Sequence, residues 1–141
     1  MRICWIPIAL LSLIVSCGID SILDDDASRP RKRPAMRSDT RCYDSFRQFK
    51  NTHGNAGKDR EWHHIVGQHS KNKGTFGEHD LHCTDNLISL PESVHHQING
   101  HYNTKPDWAG GDNVRNWLAK KTFAEQYEYG IKLLKKYGYE K

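Results

Sequence analysis

The chain has 141 residues, with 21 Lys and Arg against 17 Asp and Glu, nine histidines and a formal charge of +4. Such a length leaves room for one small domain of about 100 residues, whose modest core commonly needs a metal or a disulfide in support. The mixed charge excludes a histone-like polyanion binder and leaves a slight lean towards anions.

Arg2 precedes an apolar run from Ile3 to Val15 that is broken by Pro7 and too short to span a bilayer as a mature helix. Ser16 and Cys17 follow where that run ends, and this resembles the lipobox of bacterial lipoproteins. The resemblance implies a signal peptide over residues 1–16, lipidation at Cys17, and export to a bacterial membrane. Because Gly18 and not Asp follows, it implies the outer membrane or cell surface. An ordinary secretory signal ending near a cysteine is the alternative. Residues 17–40 read as the lipidated cysteine and a disordered tether: Asp24-Asp25-Asp26 is followed by a basic run from Arg29 to Pro34, with almost nothing apolar after Leu23. Cys4 leaves with the signal and Cys17 carries lipid, so Cys42 and Cys83 remain. A disulfide between them is preferred to two buried free thiols, since disulfides persist in exported proteins.

Residues 41–141 read as the folded domain. Cys42, Phe46, Phe49 and His53 recur at helical spacing and predict an amphipathic helix from about Arg41 to Thr52, capped by Asp39 or Thr40 and ended by Gly54. Trp62 to Val66 predicts a strand, Gly67 to Asp80 a polar loop pinned by Phe76, and Leu81 to Leu90 a second strand. Ser89 with Glu92, and Pro91 in the first turn, reads as a capping box opening a helix that carries His95 and Asn99. A helix over about Asp112 to Lys121 buries Val114, Trp117 and Leu118. Thr122 and Glu125 cap a last helix with Tyr127, Ile131 and Leu134 towards the core.

Chemistry concentrates between Glu61 and Asn99, which hold seven of the nine histidines. Adjacent strand residues point to opposite faces, so His63 and His64 are suited to different tasks. On the helix, four residues are slightly more than one turn, so His95 and Asn99 can share a ligand while His96 points elsewhere. His69, His79, His82, His96 and His101 have no partner at a diagnostic spacing, although His82, beside Cys83, is the one expected to pack near the site.

Strand with His63-His64, strand with Asn86, then helix with His95 and Asn99 resembles the HNH or His-Me finger endonucleases, whose site is a ββα-metal unit. EWHHIV, TDNLISLP and His95-x-x-Ile98-Asn99 look more narrowly like the WHH-type branch found in Rhs-type polymorphic toxins. The resemblance covers about Lys58 to Lys105. It implies an α+β fold, one β-hairpin plus a helix embedded among helices, and a metal-dependent hydrolase cutting phosphodiester bonds of nucleic acid, DNA before RNA. It further implies that His64 is the general base, that His63, His95 and Asn99 hold one divalent ion (Mg, Mn or Zn), and that Asn86 braces the hairpin so that His64 is aimed. Many relatives carry histidine where Asn99 stands; its neutral carbonyl is a weaker donor, tolerant of a hard ion such as magnesium.

Such residues suit the reaction. A divalent ion at the phosphate offsets the repulsion of a nucleophile and stabilises the leaving alkoxide, while a metal-free histidine near neutral pKa deprotonates water. Lys58, Arg60, Lys71 and Lys73 flank the hairpin as candidate phosphate contacts. The alternative is a non-catalytic lipoprotein in which the same His/Asn cluster holds a structural zinc.

Overall fold

The computed structural model describes residue 33 and residues 35–141. The expected signal peptide, Cys17 and most of the expected tether lie outside the described residues. The fold is α+β: helices surround one two-stranded antiparallel hairpin. In chain order the elements are α1 (Phe46–His53), β1 (Arg60–His64), α2 (Ser70–Phe76), α3 (Glu78–Leu81), β2 (Leu87–Pro91), α4 (Glu92–Asn103), α5 (Val114–Leu118) and α6 (Phe123–Lys136).

α1 starts later than its periodicity predicts. Cys42 is disulfide-bonded to Cys83 and Tyr43 is buried against Phe49, so this segment serves as an anchor and the helix begins only after Ser45, whose hydroxyl accepts from Gln48 N–H. Gly54 ends α1 at φ 75°, a conformation that suits glycine. β1 and β2 pair with Trp62 opposite Ser89, His63 opposite Ile88 and His64 opposite Leu87.

Residues 67–80 are not the loop expected of them, for they form α2 and most of α3. Their polar sequence hides a long-range tie: the Asn72 side chain donates to Gln126 Oε1 (2.7 Å) and Gln126 returns a bond to Asn72 Oδ1 (3.2 Å), both residues buried. Phe76 does pack on Phe123, with ring centroids 5.4 Å apart.

Nor is there a capping box at Ser89 and Glu92. Ser89 lies in β2, where its hydroxyl donates to Ala56 O and accepts from Arg60 Nε; Pro91 takes the cap position of α4 without a side-chain bond. Thr122 and Glu125 do form one. α5 is shorter than predicted because Asn113 caps it, accepting from Asn116 N–H. On α6 the fully buried ridge is Phe123, Gln126, Gly130, Leu133 and Leu134, while Tyr127 and Ile131 pack half-buried beside it.

The main core joins Ile65, Leu90, Ile98, Tyr102, Val114 and the end of α6. Gly130 gives α6 its close approach to the end of β1. A Cβ there would stand 2.6 Å from Ile65 Cγ2 and 2.8 Å from the Ile65 carbonyl oxygen. We expect Gly130→Ala to lower stability by roughly 1–2 kcal/mol, the overpacking outweighing the gain in helix propensity. Urea denaturation checks this, and a midpoint equal to or above wild type contradicts it.

Candidate active site

The strand ends at His64, and its last two side chains diverge. The His63 ring faces His95 on α4, with centroids 5.1 Å apart at 71°. The His64 ring turns to the other side, 4.9 Å from Phe46 and 5.2 Å from His82. Both residues nevertheless line one cavity of about 250 Å³, together with His95, Asn99, Gln68, His69 and Arg115.

Asn86 holds the base of this arrangement. It is fully buried; its Oδ1 accepts from Val66 N–H (2.8 Å), and its Nδ2 donates to Val66 O (3.1 Å) and Leu81 O (2.9 Å). The Asn86 carbonyl also accepts from Ile65 N–H at 2.9 Å. The backbone just after His64 is therefore clamped from two directions.

On the His63 side, His95 Nδ1–H donates to the Glu61 carboxylate, which holds the Glu61 pKa below the usual carboxylate range. The proton is thereby fixed on Nδ1, and the Nε2 lone pair is turned towards Asn99, whose amide nitrogen is 3.4 Å away. His63 is pushed down to about 3, first by burial and then by its neighbours His95 and Arg115, so its imidazole is neutral at physiological pH. Two imidazoles on one tetrahedral ion bring their ring centres to about 5 Å, given metal–nitrogen distances near 2 Å. The His63–His95 spacing fits that, and Asn99 can offer its carbonyl after an amide flip. Among the described residues no three His, Cys, Asp or Glu gather as a ligand group.

On the His64 side, burial and then His82 also push the ring down to about 3, not the near-neutral value the sequence suggests for a base. It is thus always unprotonated at neutral pH, though less basic. His64 Nε2 is 3.1 Å from His82 Nδ1, and His82 Nε2 faces Glu78 Oε2 at 3.6 Å. That buried Nε2 makes no hydrogen bond, so the Glu78 charge decides its state: a proton towards the carboxylate is favourable and a lone pair is not. His82 Nδ1 is then the acceptor, His64 Nε2–H the donor, and His64 Nδ1 the atom that carries a lone pair.

The four cations expected at the substrate lie outside the cavity. Lys58 and Lys71 are exposed, and Lys73 pairs with Glu78 at 3.0 Å. Arg60 donates to Ser89 Oγ and O, although it borders a shallow groove beside Glu61 and His95. His96 is exposed, His79 meets Asp44, and His101 meets Tyr129.

The chain matches no family model, and comparison with curated proteins and with solved structures returns no match. The assignment of a task to this cavity accordingly rests on its own chemistry. Glu61, Glu78 and Arg115, which the sequence reading passed over, carry much of that chemistry. Glu61 stands one residue before the Trp62-His63-His64 run, but nothing local pairs it with a ring 34 positions away.

Two measurements check the electrostatics. In long-range nitrogen-15 spectra recorded in chelator, His64 is expected as the Nε2–H tautomer, with Glu78→Gln shifting the population towards Nδ1–H; an Nδ1–H wild type contradicts this. For His63 and His64 the folded pKa is depressed from 6.5 to about 3. Below 6.5 the unfolded chain takes up protons that the folded chain refuses. Stability is therefore full above pH 6.5 and falls as pH drops towards 3, by about 1.4 kcal/mol per pH unit for each ring. Burial of His69, His82 and His101 acts in the same direction. Urea midpoints stepped from pH 7.5 to 4.5, in chelator, read this slope; a flat profile overturns the neutral-imidazole assignment.

Proposed function

We propose that this protein is a metal-dependent endonuclease of the HNH or His-Me finger type, hydrolysing phosphodiester bonds, DNA before RNA. The observation that carries the reading is the facing pair His63 and His95, one ring oriented by Glu61, in a cavity that His64 also lines. His63, His95 and Asn99 would hold one divalent ion; when bound, it supplies a Lewis acid for the phosphate and the departing alkoxide.

The chain's own residues do the rest. His64 Nδ1 accepts a proton from water as the water oxygen bonds to phosphorus and the P–O bond to the leaving sugar oxygen breaks. His82, backed by Glu78, keeps His64 in the required tautomer. Asn86 fixes the backbone from which His64 projects, and Glu61 keeps the His95 Nε2 lone pair towards the cavity.

The Cys42–Cys83 disulfide supports an oxidising compartment, in keeping with export and lipidation at Cys17. Attack on a neighbouring cell's nucleic acid and degradation of extracellular nucleic acid both suit such a location.

The test is plasmid nicking in magnesium, manganese or zinc, with and without chelator, beside an RNA substrate. We expect metal-dependent cleavage that falls by about 100-fold or more in His64→Ala while metal binding survives, and metal affinity that falls in His95→Ala but not in His96→Ala. Absence of cleavage of either polymer, with chelation merely unfolding the domain, establishes the structural-zinc alternative instead.

A further inference from the structure

The cavity that brings His63, His64 and His95 together has a second half, built from the chain after β1 and from α5. Gln68 and His69 contribute to it, and so does Arg115. Among the described residues no aspartate or glutamate lines the cavity. Glu61 and Glu78 stand behind His95 and His82 and give it no facing charge. Arg115 is therefore the one permanent charge in its wall.

Arginine that is half-buried normally meets a carboxylate, because a desolvated cation without a partner is costly. Arg115 meets none among the described residues, where every ion pair uses another cation. Its nearest acid in sequence, Asp112, is held by Lys120. What supports Arg115 is the Tyr102 ring, 5.5 Å below the guanidinium carbon. A ring contact of this kind fixes the plane of the fork and leaves its edge N–H groups unused. Gly67 faces the same fork; a Cβ there would come to 3.8 Å from an Arg115 terminal nitrogen, so the absence of a side chain leaves that edge open. The Arg115 charge reaches both His63 and His69, which line the cavity with it.

We propose that Arg115 is a binding residue for an anionic oxygen of a phosphodiester, held by its fork in the same cavity as the His63–His95 pair. An uncompensated guanidinium, prearranged by Tyr102 and facing no carboxylate among the described residues, is complementary to a phosphodiester group, whose two non-bridging oxygens accept two parallel N–H bonds. The identity of the anion rests on the nuclease reading; the existence of the anion site does not. Lys58, Arg60, Lys71 and Lys73 do not line this cavity, so Arg115 is an addition to them.

Binding and cleavage are measured separately. In chelator, a short fluorescein-labelled oligonucleotide is titrated against the full domain by anisotropy over a range of salt, with inorganic phosphate as competitor. Wild type is expected to bind and to be displaced by phosphate. Arg115→Gln should weaken binding about tenfold or more and reduce the salt slope by about one. Arg115→Met, which keeps the apolar stem on Tyr102, should do the same, and circular dichroism with a urea midpoint verifies that each variant folds. No binding by wild type, or variants that bind with unchanged affinity and salt slope, overturns the proposal. Plasmid cleavage in metal then separates the two readings. A wild type that binds phosphate through Arg115 and cuts nothing keeps the anion site and defeats the nuclease. A wild type that cuts, with Arg115→Gln binding and cutting equally well, keeps the nuclease and defeats the anion site.

Discussion

The buried Asn86 amide ties together two stretches of backbone, with Val66 on one side and Leu81 on the other. Between β1 and β2 the chain makes an excursion through α2 and α3, and excursions of this size carry a real entropic cost of closure. Asn86 closes it at the neck, with all its polar atoms satisfied out of water. Because the neck begins immediately after His64, the two strands cannot slip without pulling that ring from the cavity wall. The disulfide from Cys42 to Cys83, three residues before Asn86, ties the entry of the domain to the same place.

The His64 and His95 rings are arranged on one plan: a carboxylate set back from the cavity chooses which nitrogen carries the proton. Glu61 does so directly for His95, and Glu78 does so for His64 through the intervening ring of His82. Keeping the acids one step away leaves the cavity lined by neutral donors and one guanidinium. Among the described residues its wall therefore carries no fixed negative charge.

Much of this was legible in the sequence because it is local. The His95 and Asn99 pairing follows from helical geometry alone, and the hairpin with its following helix follows from two apolar runs and their punctuation. Where sequence misled, tertiary contacts had taken the residues concerned. Ser89 and Thr122 begin the same four-residue pattern, yet only Thr122 is free to cap, since the hydroxyl of Ser89 is spent between Arg60 and Ala56. Residues 67–80 lack an apolar stripe, and their order depends on a side-chain pair spanning 54 positions. Arg115 carries no local signature; what distinguishes it is the lack of a carboxylate partner among the described residues, which only the assembled cavity displays.

The Arg33 guanidinium donates to Asp80 O and pairs with Asp85, while the Lys141 ammonium reaches the carbonyls of Thr84 and Leu87. Residue 33 of the expected tether thus rests against the domain, on the same short turn that Lys141 reaches. Both cations therefore bear on the stretch that flanks Asn86, so residues far apart in sequence brace the base of the hairpin together.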